Sequence, residues 1–434
     1  MRQPIPMKIF FSVGEPSGDI HGANLIRDLR QRIPDVECVG YGGPAMEAAG
    51  CQLHADLTEL AVMWLFTVVK NIHRFLRLVR EADRYFRNHR PDAVVMIDYP
   101  GFNWWIARRA KNHKIPVFYY GTPQLWAWAP WRVKKMRRLV DHILCKLPFE
   151  PEWYRQRGCQ ATYVGHPFFD EVARKEIDRA FVAEQARRDG RLVTILPGSR
   201  TAEVTNNLPW LLKAAAHIQE QVADVRFEIA SYKDSQAQLA RQIIAHQPRA
   251  ADLSIDLHVG RTSELIEAAE CCMAVSGSVS LELMQRTTPT VILYWMDRLT
   301  VFMMGRVLGM KIKFITLVNL MSVDEPFDDN PQPFDPDAPG AEAVPMPEYP
   351  TCEDKSEQVA RHIIEWLRDE DVRQMKIGQL AALKAKYGKT GASERAADYI
   401  AAALRELPGR SLPAPHFIPG RTSTAVAQAG RDAS

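Results

Sequence analysis

Leu192-Val193-Thr194-Ile195-Leu196 runs into Pro197-Gly198-Ser199-Arg200, and this junction decides the fold. The first residues read as an apolar strand, and a small, glycine-containing turn closes it. Such a turn lets backbone amides approach an anion, and Arg200 is suited to grip phosphate oxygens bidentately. An ordinary strand-to-helix turn with a solvated arginine explains the same residues about as well. Downstream, Met273 to Val275 is another short strand, ending in Ser276-Gly277-Ser278-Val279-Ser280-Leu281-Glu282. Small residues at a helix start leave the amides and the helix dipole free for a diphosphate. Glu282, one turn beyond Ser278, is placed to accept hydrogen bonds from ribose hydroxyls. The plainer alternative is a serine cap followed by an ordinary helical glutamate. Two such loops in one half make nucleotide binding the better reading. Neither matches GxxxxGK[ST], which disfavours phosphoryl transfer from ATP.

The pattern extends both ways. Val225 to Ala230 and Thr290 to Tyr294 are further apolar strands of the same half. In the first half Ile9 to Val13, Ala93 to Ile97 and Val117 to Tyr120 alternate with helical stretches. Strands separated by helices of this length predict parallel βαβ units, with ligands where strands end and loops begin. The pattern restarts after Val164-Gly165-His166-Pro167, so the boundary is expected near residues 168–190. The expected α/β organisation is an N-terminal domain over 1–170 and a second over 171–385, facing each other across a ligand cleft. Residues 323–350, rich in Pro, Asp and Glu, read as an exposed acidic insertion. Residues 386–407 read as a C-terminal helix, and 408–434 as a disordered tail.

Bulk properties exclude other classes. The 434 residues carry 55 basic and 52 acidic side chains, a net charge of +3, so the chain is nearly neutral. That argues against nucleic acid as a partner. Seven cysteines without a CxxC pair suggest buried free thiols, neither a disulfide framework nor a zinc site. No export peptide and no apolar run of transmembrane length is apparent, so a cytoplasmic protein with at most peripheral membrane contact is expected. The oligomeric state is left open.

Candidate chemistry in the first half centres on strand ends. Asp98, closing Ala93 to Ile97, is the preferred general base, because partial desolvation raises a carboxylate toward working pH. A cap for the Gly101-Phe102-Asn103 turn is an equal alternative for it. Glu15, Ser17 and Asp19, with His21 in the following helix, are suited to an acceptor sugar, though capping and turn formation explain them nearly as well. His166 at the domain junction is a third candidate, with a structural histidine as the alternative. Between Trp64 and Arg90, Leu65, Val68, Val69, Ile72, Phe75, Leu76 and Val79 recur at helical spacing, while Arg74, Arg77, Arg80 and Arg84 line a different face. That basic amphipathic helix, opened by Trp64-Leu65-Phe66, suits an anionic bilayer, although most such helices simply bury their stripe in a core.

In order along the chain, these segments resemble the lipid-A-disaccharide synthase family from about Ile9 to about Leu404. The resemblance is carried by Gly14-Glu15-Pro16-Ser17-Gly18-Asp19, Gly43-Pro44-Ala45-Met46, Leu60-Ala61-Val62-Met63, Ile97-Asp98-Tyr99-Pro100, Trp126-Ala127-Trp128, Leu147-Pro148-Phe149-Glu150 and Gly165-His166-Pro167. Leu196-Pro197-Gly198-Ser199-Arg200, Ser276-Gly277-Ser278 through Glu282, and Gly391-Ala392-Ser393 with Arg395-Ala396-Ala397 complete it. It implies the GT-B fold, two facing Rossmann-like domains with an interdomain cleft, and an inverting hexosyl transfer without metal or other cofactor. The donor would be UDP-2,3-diacylglucosamine and the acceptor the 6-hydroxyl of 2,3-diacylglucosamine 1-phosphate (lipid X), at the inner leaflet of the cytoplasmic membrane. The products are a β-1,6-linked disaccharide 1-phosphate, a lipid A precursor, and UDP. Asp98 matches the family's essential carboxylate, Arg200 the arginine of the UDP-sugar site, and Asn319 the asparagine that follows the nucleotide loops. The family's last helix returns to the N-domain, for which Ala392 to Leu404 is the candidate. The chain departs from the family pattern at Trp64, Thr67, Gly101 and Thr351. Rival readings are a GT-B transferase with another UDP-sugar or lipid acceptor, a UDP-sugar epimerase, or a catalytically silent UDP-sugar- or membrane-binding relative.

Overall fold

The computed structural model describes residues 6–58, 64–250, 252–302 and 311–406, with the side chains of 64–72 and 302 excepted. Two parallel sheets organise it. The first contains β1 (Lys8–Val13), β2 (Glu37–Gly42), β3 (Gln52–Asp56), β4 (Ala93–Ile97), β5 (Val117–Tyr120), β6 (His142–Cys145) and β7 (Ala161–Tyr163), in the order β3-β2-β1-β4-β5-β6-β7. The second contains β8 (Arg191–Leu196), β9 (Val225–Ser231), β10 (Ile255–Val259), β11 (Cys271–Ala274), β12 (Thr290–Trp295) and β13 (Glu348–Thr351), in the order β10-β9-β8-β11-β12-β13. Buried on both faces, the central strands are continuous apolar runs, which is why Phe10-Phe11, Val94-Val95 and Val193 stood out as sequence.

Helices cover both faces. On one side of the first sheet, Pro16–Arg32 packs with Ala392–Arg405, and Ala396, Ile400 and Leu404 share a core with Ile9, Phe11 and Leu25. That terminal helix is fastened by charge as well as by apolar area. Asp170 accepts from the amides of Gly391 (2.5 Å) and Ser393 (3.0 Å) at its N-terminus, where an anion is favoured. Arg395 donates to the Val164 carbonyl at 2.7 Å, and Gly165 favours glycine because it takes φ +91 beside that guanidinium. The Gly-His-Pro and Gly-Ala-Ser segments therefore meet each other.

Several strands lack a clear sequence signal. β2 holds Gly40 at φ +137, and a Cβ there would lie 2.1 Å from the Phe11 carbonyl oxygen. That close approach to β1 displaces the apolar residue a strand pattern needs. β13 includes Pro350 and lies at the sheet edge, where proline is tolerated. The 323–350 segment is correspondingly less exposed than expected. Met346, Glu348 and Tyr349 are buried, and Phe327 bridges to Ile312 and meets Trp126 and Phe149 of the first half edge-on, at ring separations of 6.1 and 5.7 Å. Tail residues 408–434 lie outside the described residues. The cysteines are free, and all but Cys352 are buried. No helix among the described residues is long and apolar enough to cross a membrane.

Candidate active site

In each sheet the strand order reverses at one place, which is where parallel sheets of this kind receive ligands beyond their strand ends. In the first sheet that place is between β1 and β4, where Val13 pairs with Ile97. The loops leaving these strands carry Glu15 and Asp98. In the second sheet it is between β8 and β11, where Leu196 pairs with Ala274 and accepts from the Val275 amide at 3.1 Å. Their loops are Pro197–Arg200 and Ser276–Ser278. The two donor-loop segments are thus neighbours in space, although 76 positions separate Arg200 from Ser276 (276 − 200).

Asp98 and Tyr99 both sit in the left-handed region, at φ +45 and +43. Neither is glycine, so the conformation is strained and has to be held from outside. Asn103 donates to the Asp98 carbonyl (2.7 Å) and to Ile97 and Ser12 carbonyls (3.3 and 3.2 Å), while Tyr119 also donates to Asp98 (2.6 Å). A Cβ on Gly14 would stand 2.3 Å from the Tyr99 ring, so the first loop needs its glycine to admit Tyr99. Gly121, at φ +68, also lies beside the Asp98 carboxylate: a Cβ there would come tightly within 3.3 Å of Oδ1. Lys146, at the end of β6, stands 3.6 Å from Asp98 Oδ1.

Around this pair lies a cluster of titratable groups. Solvent reaches Glu15, but surrounding protein and the charge of Asp98 raise its pKa, with Lys146 and Arg200 opposing. Burial pushes His21 down to about 4, and its Nδ1 has no hydrogen-bond partner. Burial and the neighbouring Lys146 hold His166 well below its usual range. Both rings are therefore neutral at physiological pH. His166 Nδ1 accepts the Phe168 amide at 3.2 Å, closing the start of the following helix. Ser17 is exposed in the first turn of Pro16–Arg32.

Asp19 is engaged within its own domain. Its carboxylate accepts amides of Gly43 (2.9 Å), Ala45 (2.9 Å) and Met46 (3.0 Å), so it caps the helix Pro44–Ala48 and is spent on holding that loop. Asn319 is engaged likewise. It is fully buried, donating to Met346 (2.7 Å) and Glu348 (2.9 Å) and accepting from Met346 (3.1 Å). Its side chain supports the loop ahead of β13. Glu282 is also buried, facing Arg286 at 3.3 Å.

The donor loops differ in availability. Gly198 takes φ +115, and the amides of Ser199 and Arg200 donate to Glu203 at 2.9 and 3.2 Å. The amides expected to meet a phosphate are thus already capped by the first turn of Thr201–Gln219. Arg200 itself is 80% exposed, reaching Glu203 at 2.8 Å. At the second loop, Gly277 has open space where a Cβ would be, and Ser278 makes no side-chain cap to the helix Val279–Arg286. Ser276 is tied to Ile315 at 3.2 Å.

Lys146 and Glu203 were not singled out by sequence reading, and Glu150 only as the end of a segment, without a role. Glu150 is completely buried, accepting from Trp126 (2.9 Å) and from the amides of Lys146 and Leu147 (2.9 Å each). The Trp-Ala-Trp and Leu-Pro-Phe-Glu segments are two halves of one bracket that fixes Lys146. Of the membrane candidates, Arg74 and Arg77 are exposed, with Arg77 paired to Glu81 at 2.8 Å. Trp64, Leu65 and Phe66 belong to the helix Trp64–His89, but their side chains lie outside the described residues.

Solved structures share this architecture. S. aureus MnaA with UDP matches with a TM-score of 0.60 at 12% identity, over 94% of this chain and 99% of that one. UDP-GlcNAc 2-epimerase from Neisseria meningitidis bound to UDP-GlcNAc gives 0.57 at 12% identity, over 92% and 100%. Two Rossmann-like parallel-sheet domains in one chain with these neighbours are the GT-B fold, and with the sequence relatives they define a glycosyltransferase. The family model described as lipid-A-disaccharide synthetase matches residues 9–332. The lipid-A-disaccharide synthase of Syntrophus aciditrophicus is 34% identical over 390 residues, 90% of this chain and 96% of that protein. That of Myxococcus xanthus is 31% identical over 409 residues, 93% and 99%. The chain belongs to the lipid-A-disaccharide synthase family.

Proposed function

We propose that this chain transfers 2,3-diacylglucosamine from its UDP derivative to the 6-hydroxyl of 2,3-diacylglucosamine 1-phosphate, with Asp98 as the general base. The observation that carries this reading is the strained carboxylate at the β1/β4 reversal, held with a lysine at 3.6 Å, on the first of two such sheets. A carboxylate whose backbone is held in a disfavoured conformation is kept in one orientation toward an incoming hydroxyl. Asp98 removes the hydroxyl proton as the oxygen attacks the anomeric carbon, and the sugar–phosphate bond breaks on the opposite side, inverting the centre. UDP leaves as an anion. Arg200 and the helix start at Ser276–Ser278 stabilise that charge, while Gly198, Ser199 and Glu282 shape the donor site. Because Glu203 holds the Ser199 and Arg200 amides, the guanidinium is the main phosphate contact of the first loop.

On the acceptor side, Glu15, Ser17 and His166 line the approach, and neutral His21 and His166 leave Lys146 as the local cation. The N-domain over 1–170 takes the acceptor and faces the inner leaflet of the cytoplasmic membrane, and 171–385 takes the UDP-sugar. Contact with the bilayer runs through the helix Trp64–His89, whose described basic residues are exposed.

Purified protein with UDP-2,3-diacylglucosamine and the lipid acceptor is expected to yield disaccharide 1-phosphate and UDP in equal amounts. UDP or altered sugar formed equally well without acceptor rejects the transfer reading. Saturable UDP binding without any product identifies a silent relative.

A further inference from the structure

The helices Trp64–His89, Pro100–Asn112 and Val133–Leu139 form one layer on the first sheet. The middle one packs against both others. Phe86, Ile106, Ala110, Met136 and Leu139 all enter the same core cluster. Side chains pointing away from that core therefore share an outer face.

Two tryptophans are exposed on it. Trp105 is 49% accessible on the middle helix, and Trp131 is 53% accessible in the turn Pro130–Arg132 that leads into the third. Trp126, Trp153 and Trp366, by contrast, are at most 5% exposed. An indole half in water has an apolar body and a polar edge, which suits the headgroup depth of a bilayer.

The same face is cationic. Val133–Leu139 reads VKKMRRL, and Lys134, Lys135, Arg137 and Arg138 are exposed, as are Arg84 and Arg108 on the neighbouring helices. Nearby acids are already matched: Glu81 by Arg77 (2.8 Å), Asp83 by His113 (3.0 Å) and Asp141 by Lys111 (2.6 Å). Among the described residues, no ion pair involves those four cations of the third helix. Such surplus charge beside aromatic anchors complements an anionic lipid surface.

We propose that this outer face docks on an anionic phospholipid bilayer, with Trp105 and Trp131 as interfacial anchors and the cations of Val133–Leu139 as a second footing beside Trp64–His89. It rests on the membrane reading above, extending it from one helix to a face of three. It also explains how docking is useful. The helix bearing Trp105 begins directly after Asp98-Tyr99, so anchoring its outer face fixes the base's loop relative to the surface that supplies acylated sugars.

The test uses flotation of the full chain with phosphatidylcholine vesicles, with and without phosphatidylglycerol. The parent is expected to bind the anionic vesicles. Each basic residue near such a surface strengthens binding about fivefold, so Lys134→Glu/Lys135→Glu/Arg138→Glu should weaken it well over tenfold. Trp105→Ser/Trp131→Ser should weaken it severalfold. Turnover with detergent-dispersed substrates should stay parental in both. Quenching of indole fluorescence by brominated acyl chains should fall in Trp105→Phe/Trp131→Phe, a change too mild to disturb the fold. If both variants bind like the parent while Arg74→Glu/Arg77→Glu/Arg84→Glu loses binding, the second footing is wrong and the one-helix reading stands. If the parent ignores anionic vesicles, or prefers a single-stranded oligonucleotide to them, both readings fall.

Discussion

Asp98 and Tyr99 occupy a backbone region that costs non-glycine residues on the order of 1–3 kcal/mol each, and the surrounding side chains have to supply that. Asn103 is the principal support, since its amide also accepts from Ser12 Oγ at 2.7 Å. Asn103→Ala is therefore expected to lower the melting temperature and cut turnover, with UDP affinity unchanged; parental turnover would show that the strain does not serve catalysis. Asp98 was legible as a polar residue closing an apolar strand, but its strain was not. The restraint comes from Ser12 and Asn103, 91 positions apart, and from Tyr119, and no local pattern encodes it. Lys146 was hidden likewise, since only the sheet order brings the end of β6 toward Asp98. His21 yields a prediction about pH. Its folded pKa of about 4 lies below the unfolded value near 6.5, so the unfolded state binds the proton first. Its contribution to stability is complete above about pH 6.5 and is lost as pH falls toward about 4, by at most about 3 kcal/mol. Glu150 and Glu348, raised by burial, pull the other way, so the comparison should be parent against His21→Asn: chemical denaturation at pH 7 and 4.5 should give a smaller loss in the variant.

At the scale of elements, helix ends decide most of what the site offers. The strand-to-turn junctions after Leu196 and Ala274 were readable because apolar strands stop abruptly at small residues. What the turns do with their amides was not, since Glu203 is an unremarkable helical residue until its carboxylate folds back on Ser199 and Arg200. Removing that side chain frees two amides beside the proposed phosphate site. Glu203→Ala is expected to bind UDP at least as tightly as the parent by calorimetry, at a cost of roughly 1 kcal/mol in helix capping; clearly weaker UDP binding would mean that Glu203 itself orders the proposed donor loop. Asp170 is the matching case on the other side. Asp170→Ala leaves the start of Ala392–Arg405 uncapped in a buried setting and should destabilise the protein by about 1–2 kcal/mol in denaturant titration. The insertion over 323–350 reads as exposed from its composition, and much of it is exposed or half-buried, but its packing residues are not legible there. Its prolines and acids dominate, yet Phe327, Met346 and Tyr349 are the residues that pack. Gly101, by contrast, has open space around the missing side chain, so Gly101→Asp should fold normally and test directly whether that departure from the family pattern matters to turnover.

Over the whole molecule, two sheets repeat one plan without repeating residues, and the proposed function divides its chemistry between them. In each the strand order reverses once, and the C-terminal helix returns to pack on the first sheet with Pro16–Arg32. The division predicts a division of mutant phenotypes: damage at Arg200 should appear in donor affinity, damage at Asp98 in the chemical step. The decisive measurement pairs UDP binding by calorimetry with single-turnover disaccharide formation in Asp98→Asn and Arg200→Ala. Asp98→Asn should bind UDP as the parent does and turn over ~10²–10⁴-fold more slowly, while Arg200→Ala should weaken UDP binding on the order of tenfold. A folded Asp98→Asn protein that forms disaccharide at close to the parental rate would contradict the account at its centre.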